Sequence, residues 1–301
     1  MTQACAGRVV VVTGAGRGIG RCHALELARQ GACVVVNDLG TSATGSGASD
    51  TPAQTVVAEI EAFGGSAIAN TDDVSDWDGA GQLIASAIER WGRLDAVVNN
   101  AGILRDRMFV SATVDEWDAV MRVHLRGHFC VTRHATAYWR TETKAGRPVQ
   151  ARIINTSSGA GLLGSIGQSA YAAAKAGITA LTLVQAAELR RYGVTANALA
   201  PAARTRMTET AFAEMMRAPD EGFDKMAPEN ISPLVAWLAS EDSNDVTGRV
   251  FELSGGELSI ANGWRRGVAQ DKGARWEVHE LGPIVRRLIA DAPEAERVYG
   301  T

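Results

Sequence analysis

Short apolar runs alternate with longer helix-like segments over most of this chain. The first run, Arg8 to Val12, consists of β-branched residues after the arginine, which is typical of a parallel strand buried on both faces. Further runs of this kind follow at residues 32–36, 66–70, 94–98, 152–155, 194–199 and 249–253. This alternation predicts an α/β fold with one doubly wound parallel sheet of about seven strands and helices on both faces.

The chain is large enough to bury a substantial core without disulfides or metal ions. Its 301 residues are 46% apolar and 21% charged. Because no linker or internal repeat interrupts the alternation, we expect a single domain over residues 1–301. The regular pattern ends at Gly255-Gly256, so residues 261–301 are expected to form a C-terminal extension. The four cysteines are scattered and form no cluster with histidine, so no metal site is predicted.

The charge balance favours a small-molecule ligand. A net charge of -4 and an isoelectric point near 5.8 provide no positive surface for nucleic acid or anionic membrane. No apolar stretch approaches a membrane span, and the valine run before Thr13 is too short for a signal-peptide core. We therefore expect neither nucleic-acid nor membrane partners, and a cytoplasmic location.

A glycine-rich turn follows the first predicted strand and precedes a helix. It reads Thr13-Gly-Ala-Gly-Arg-Gly-Ile-Gly20 and contains Gly14, Gly18 and Gly20 in a G-x-x-x-G-x-G spacing. Glycines at such a junction let backbone N–H groups approach a pyrophosphate at the positive end of the helix. Turns of this kind also occur without a ligand, but this position predicts a dinucleotide site that includes Arg17 and Ile19.

The second predicted strand ends in Asn37-Asp38. A carboxylate there can accept hydrogen bonds from ribose hydroxyls and repel a 2'-phosphate, which selects NAD over NADP. Arg17 favours NADP instead, because a guanidinium can bind the 2'-phosphate. Asp38 would lie at the discriminating oxygen, so we predict NAD; an ordinary turn aspartate is the alternative.

Later strand ends supply further cofactor contacts. Asp73 and Val74 follow the third strand and could contact the adenine. Asn100, Ala101 and Gly102 follow the fourth, where small and amide side chains can line a cofactor and join neighbouring strands.

Three polar residues near the fifth strand suggest acid–base chemistry. Tyr171 and Lys175 are four residues apart in an alanine-rich run, so on a helix they share one face. An adjacent ammonium lowers the pKa of a tyrosine, which could then exchange a proton with an alcohol or carbonyl. Ser158 follows the strand and could bind the same substrate oxygen. Taken alone, the Tyr–Lys pair is also a common surface arrangement.

Together these motifs resemble those of the short-chain dehydrogenase/reductase family, over about residues 7–255. The matching residues are the glycine turn, Asp38, Asn99-Asn100-Ala101-Gly102, Ser158, Tyr171, Lys175 and Pro201. The resemblance implies a Rossmann-like fold and NAD as cofactor, with Ala203 and Thr205 as further cofactor contacts beside Pro201. It also implies that Tyr171 is the catalytic acid/base, that Lys175 lowers its pKa and binds the ribose, and that Ser158 orients the substrate oxygen.

His124 departs from the family pattern. It lies on the inward stripe of a helix that begins at the capping box Thr113-Val-Asp-Glu116, where a histidine is often only a core residue. Most of the family has a catalytic asparagine here, which holds a water partly through its backbone carbonyl. His124 keeps that carbonyl, so we predict a supporting catalytic role.

A narrower resemblance concerns the substrate. Residues 36–40, 99–107 and 123–127, with Gly263-Trp264 and Arg275-Trp276, resemble the (3R)-hydroxyacyl-CoA dehydrogenase part of peroxisomal multifunctional enzyme type 2. This resemblance implies a (3R)-3-hydroxyacyl-CoA substrate, and a steroid-derived acyl chain is one form that it could take. Four arginines after strand ends could bind CoA phosphates, and apolar residues of a possible lid could cover the acyl chain. The arginines are Arg105, Arg107, Arg204 and Arg206, and the lid residues are Met207, Phe212, Met215 and Met216.

Other interpretations remain open from the sequence. They are a hydroxysteroid dehydrogenase, a 3-oxoacyl carrier-protein reductase that prefers NADPH, and a dinucleotide-sensing protein without catalysis. Family members commonly pair through helices near the active site, so a homodimer or homotetramer is expected, and the extension after Trp264 could affect assembly.

Overall fold

The structure is a computed structural model that describes residues 3–41, 47, 51–205 and 216–300. Its centre is one sheet with the strand order β3-β2-β1-β4-β5-β6-β7-β8. The strands are β1 Val9–Thr13, β2 Cys33–Asn37, β3 Ser66–Asn70, β4 Ala96–Asn99, β5 Ala151–Thr156, β6 Val194–Ala202, β7 Val250–Ser254 and β8 Glu257–Ala261. The predicted α/β class and doubly wound parallel sheet are confirmed.

The strand count differs from the prediction by one. β8 pairs with β7 in antiparallel orientation, whereas the other neighbours are parallel. The sequence pattern stops at Gly255-Gly256 because β8 is an edge strand whose residues Glu257 to Ile260 are exposed. Such a strand lacks the continuous apolar run that identified the buried ones.

Helices cover both faces of the sheet. They are α1 Gly18–Arg29, α2 Thr51–Ala62, α3 Trp77–Trp91, α4 Val114–Met121, α5 Gly127–Lys144, α6 Gly159–Leu163, α7 Ser169–Leu189, α8 Ser232–Ala239 and α9 Val278–Ala290. The predicted capping box of α4 forms between Thr113 and Glu116, and α3 ends at Gly92 with a left-handed φ of 74°. In the described part of the chain, no helix has the length and apolarity needed to span a membrane.

The β1 sequence explains how the two layers form. Val10 and Val12 belong to a core cluster with α1, α2 and α8, whereas Val9 and Val11 belong to a second cluster with α3 and α5. Since successive strand residues point to opposite faces, a strand covered on both sides must be apolar throughout. The chain order reverses between β1 and β4, and the carboxyl ends of parallel strands at such a reversal form a ligand cleft.

Residues after β8 lie mainly on the surface. Helix α9 is amphipathic in sequence but has no buried residue, and Trp264 is fully exposed. The chain then returns to the body at Tyr299, which forms a parallel bridge with Ser165.

Candidate active site

A cleft of about 650 Å³ lies at the carboxyl ends of the strands. It brings together all the residues that the sequence predicted for catalysis and cofactor binding. These are Gly14, Arg17, Gly18, Ile19, Gly20, Asp38, Asp73, Val74, Asn100, Ala101, Gly102, His124, Ser158, Tyr171, Lys175, Pro201, Ala203 and Thr205. Their convergence from separate strands is geometric support for one site.

The glycine turn is packed too closely to accept side chains. A Cβ atom on Gly20 would lie 2.2 Å from the Gly14 carbonyl oxygen, and one on Gly14 would lie 2.8 Å from the Cα of Ala101. The Asn100 amide donates to the carbonyls of Thr13 at 3.0 Å and Gly14 at 3.1 Å, which fixes the turn against the end of β4. The result is an open backbone cradle at the N-terminus of α1, suited to a pyrophosphate.

Asp38 lies beside this cradle at the end of β2. Its Oδ2 accepts a hydrogen bond from the Gly16 backbone N–H at 2.8 Å, and its Oδ1 accepts one from Gly40 at 2.8 Å. Arg17 is turned toward the Thr41 carbonyl, to which it donates at 3.1 Å. The carboxylate is therefore held in place at the rim of the cleft, with lone pairs left for another donor.

The cleft is also lined by Ser75 and Arg122, which the sequence patterns did not single out. Arg122 donates to the Ser75 hydroxyl at 3.1 Å and lies 3.5 Å from an oxygen of Asp73. Asp73 in turn accepts from the Ser75 backbone at 2.8 Å. Arg122 lines the cleft, yet its helical position resembles that of any surface arginine, so no local pattern could identify it.

Ser158, Tyr171 and Lys175 meet at the floor of the cleft. Ser158 caps α6, with its Oγ accepting from the Ala160 N–H at 3.2 Å, and its hydroxyl acts on Tyr171 by lowering the pKa of that phenol. The Nζ atom of Lys175 donates to the Thr156 carbonyl at 2.6 Å and lies 5.5 Å from the Tyr171 ring centroid. The end of β5 and the start of α7 thus place a hydroxyl, a phenol and an amine around one space.

Burial controls the titration of this group. It raises the pKa of Tyr171 above its usual value, while the hydrogen bond with Ser158 lowers it by less. Burial also lowers the pKa of Lys175 to about 7. The sequence predicted that Lys175 lowers the pKa of Tyr171; here the net shift is upward, because removal from water outweighs the effect of Ser158 and the Asp106 carboxylate raises the pKa further.

His124 lies in a π-helical turn, Arg122–Arg126, between α4 and α5. Its ring is buried against the edge of Tyr171 at a centroid distance of 5.2 Å, and its Nε2 lies 2.8 Å from the Ile103 carbonyl oxygen. Gly102 leaves room for the ring, since a Cβ there would lie 2.3 Å from Cε1 of the imidazole. Burial lowers the pKa of His124 to about 3, so the ring is neutral near pH 7.

We expect His124→Asn to retain measurable activity, because asparagine restores the residue commoner in this family at that position. His124→Ala should lower kcat by roughly tenfold, since it removes the ring that packs on the reactive phenol. Steady-state rates of both variants test this, with thermal unfolding as the folding control. A folded alanine variant with an unchanged rate would make His124 a core residue only.

The four arginines considered for CoA binding do not share one environment. Arg105 lines the cleft. Arg107 pairs with Glu116 at 2.7 Å, and Arg204 pairs with Asp224 and donates to the Met216 carbonyl at 2.9 Å. Arg206 and the lid residues Met207, Phe212 and Met215 lie outside the described residues, while Met216 is buried.

Several known proteins are similar to this chain in sequence. The family model for short chain dehydrogenase matches residues 8–216. A hydroxyacyl-CoA dehydrogenase of Mycobacterium tuberculosis, ChsB1, is 46% identical over 96% of this chain and 90% of its own length. Mouse peroxisomal multifunctional enzyme type 2 is 42% identical over 97% of this chain but only 36% of its own length.

A solved structure supports the same assignment. The crystal structure of a short chain dehydrogenase from Mycobacterium avium has 56% identity and a TM-score of 0.89, over 99% of this chain and 100% of that one. Since the family model matches most of the chain, and relatives of 46% and 56% identity align with nearly all of it, the protein belongs to the short-chain dehydrogenase/reductase family and is an oxidoreductase that acts on CH–OH groups with a nicotinamide dinucleotide.

Proposed function

We propose that the protein oxidises a (3R)-3-hydroxyacyl-CoA to the 3-ketoacyl-CoA with NAD. The observation that carries this proposal is the cluster of Ser158, Tyr171 and Lys175 at the floor of a cleft whose other end holds the glycine cradle and Asp38. The Ser158–Tyr171–Lys175 cluster can take a proton from an alcohol. The glycine cradle with Asp38 fits a dinucleotide without a 2'-phosphate.

The cradle fits the dinucleotide because Gly14, Gly18 and Gly20 line the cleft without side chains, which leaves their backbone open to a pyrophosphate. Backbone N–H groups at the start of α1 would bind that pyrophosphate, and Asp38 would accept hydrogen bonds from the adenosine ribose. When bound, the nicotinamide accepts the hydride from the substrate carbon. Lys175 would bind the nearer ribose.

The protein supplies the proton chemistry. The Ser158 hydroxyl would hold the substrate oxygen, and the Tyr171 phenolate would accept its proton. A charged Lys175 at 5.5 Å from the ring favours the phenolate. Because the pKa of Lys175 is about 7, its amine can both carry that charge and exchange a proton near neutral pH.

The acyl-CoA assignment rests on the relatives and on the position of Arg105. ChsB1 is named as a hydroxyacyl-CoA dehydrogenase and aligns over nearly all of both chains. Arg105 lines the cleft just beyond β4 and could bind a CoA phosphate.

We expect a (3R)-3-hydroxyacyl-CoA to be used with a kcat/KM at least roughly tenfold above that of the matched free alcohol, since binding of the CoA part stabilises the transition state. NADH absorbance during turnover of matched pairs, including steroid alcohols, measures this. The (3S) isomers serve as controls. Equal activity on free steroid alcohols would favour a hydroxysteroid dehydrogenase, and preference for (3S) would contradict the stereochemistry.

A carrier-protein reductase is the second candidate. A 3-oxoacyl-[acyl-carrier-protein] reductase of Synechocystis is 40% identical over 83% of this chain and 96% of its own length. Both reactions interconvert 3-hydroxyacyl and 3-ketoacyl thioesters. The carboxylate of Asp38 at the cradle supports oxidation with NAD over reduction with NADPH.

We also propose that the protein forms a homodimer or homotetramer. Three apolar residues on helices beside the site are each about half exposed. They are Phe129 on α5 and Leu183 and Val184 on α7. We expect the full chain to sediment as an oligomer. A chain that ends after Asn262 retains β8 and tests whether the extension controls assembly; equal masses would show that it does not.

A further inference from the structure

Tyr299, near the C-terminus, binds the loop that follows Ser158. The Tyr299 carbonyl accepts a hydrogen bond from the Ile166 N–H at 3.0 Å, and the Tyr299 N–H donates to the Gly164 carbonyl at 3.3 Å. These two bonds flank the bridge to Ser165 and resemble a short parallel strand pair. The C-terminal residues thus extend the backbone structure of the loop between α6 and α7.

The Tyr299 side chain contacts the start of α6. A Cβ atom on Gly159 would lie 2.5 Å from the Tyr299 hydroxyl oxygen and 2.8 Å from Cε2 of its ring. Gly159 follows Ser158 directly and is the first residue of the helix that Ser158 caps. The phenol therefore lies against the backbone that sets the position of the Ser158 hydroxyl.

The same loop is held on its other side by residues that follow β4. The Arg107 N–H donates to the Gly167 carbonyl at 2.7 Å, and the Gln168 side chain donates to Asp106 at 2.9 Å. The loop between Ser158 and Tyr171 is thus fixed from two sides, and Tyr299 provides one of them. By contrast, α9 before it buries none of its residues.

We propose that Tyr299 is a positioning residue for the alcohol-binding end of the site, because it fixes the Ser158 loop relative to Tyr171. This role rests on the proposed function of Ser158 and Tyr171. The contact lies beyond β5, whereas the glycine cradle and Asp38 follow β1 and β2, and β4 lies between β1 and β5 in the sheet. Loss of the contact between Tyr299 and Gly159 therefore lowers kcat/KM for the substrate and leaves the dinucleotide affinity unchanged.

The first test compares Tyr299→Ala with Tyr299→Phe in the full chain. Phenylalanine keeps the ring against Gly159 and the backbone bridge, so its kcat/KM stays near that of the unchanged protein. Alanine removes the ring and lowers kcat/KM for the hydroxyacyl substrate roughly tenfold, mainly through KM, while NADH affinity by fluorescence titration is unchanged. Trp264→Ala, which removes a fully exposed aromatic residue from the same segment, is the matched control.

The second test uses the close approach between the two residues. Gly159→Ala places a methyl group in the space of the phenol and lowers kcat/KM by itself. In the Tyr299→Ala background the same methyl group has room, so the double variant is more active than the sum of the single effects predicts. Purely additive effects, or an alanine variant at position 299 with unchanged kcat/KM, would overturn the proposal.

The results of the Tyr299 and Gly159 variants can be told apart from a failure of the proposed function. The double-mutant cycle of Gly159→Ala and Tyr299→Ala is measured on any alcohol that the protein oxidises, whereas the role of Tyr171 is tested by its own substitution. If Gly159→Ala does not fold, the comparison of alanine, phenylalanine and the Trp264 control still decides the role of Tyr299. A loss of NADH affinity in Tyr299→Ala equal to the loss of substrate use would show a general structural effect and contradict positioning.

Discussion

Replacement of Tyr171 by phenylalanine should lower kcat by roughly 10²- to 10⁴-fold, the usual contribution of a positioned acid or base. The ring, its packing against His124 and the helix α7 are kept, and only the phenol hydroxyl is lost. Because the glycine cradle and Asp38 are unaffected, the affinity for NADH should change little. Initial rates with a working substrate and a fluorescence titration of NADH measure the two effects.

Tyr138→Phe is a matched control for this experiment. Tyr138 lies on α5 with its side chain half-buried, away from the cleft, and its loss of a hydroxyl should leave kcat unchanged. A Tyr171→Phe variant that keeps a near-normal rate would remove Tyr171 from the proton transfer. A variant that loses NADH affinity to the same extent as its rate would show instead that the substitution disturbs the whole cleft.

Replacement of Asp38 by serine should change the ratio of kcat/KM for NADP to that for NAD by roughly 10- to 100-fold in favour of NADP, about 1.4 to 2.8 kcal/mol. The carboxylate at the rim would repel a 2'-phosphate, and serine removes this charge while keeping a hydroxyl. Serine also replaces the acceptors of the Gly16 and Gly40 N–H groups, so absolute rates can fall. The ratio is therefore the quantity to measure, with both cofactors and one substrate.

Asp72→Ser provides the control for charge. Asp72 lines the same cleft, but its carboxylate accepts from Asn70 at the end of β3. The Asp72→Ser variant should leave the ratio of kcat/KM for NADP to kcat/KM for NAD nearly unchanged. If both substitutions change the ratio equally, the effect comes from the total charge of the cleft, and Asp38 does not discriminate the two cofactors.

The parts of the site that depend on local sequence were predictable. The glycine turn, Asp38, Ser158 and the Tyr171–Lys175 pair each follow a strand or share a helix face, and a parallel sheet brings its strand ends together. Motif spacing therefore indicated both the fold and the residues that line the cleft.

Other features depend on contacts between distant residues. The pKa of Tyr171 is set by burial, which requires knowledge of every element around α7. The return of Tyr299 to Gly159 joins segments far apart in sequence, and nothing in the residues before it marks that contact. β8 was missed because this exposed edge strand lacks the continuous apolar run of the buried strands.

The buried Lys175 has a cost for the folded state. Its pKa falls from 10.5 to about 7 on folding, so between these values the unfolded chain binds a proton that the folded chain does not. The contribution of Lys175 to the free energy of unfolding therefore rises with pH between about 7 and 10.5. At pH 7 and below, the folded state carries the full cost of burying the charged amine. The amine that serves the reaction near neutral pH is thus one that weakens the native state, and its neighbours must compensate through packing.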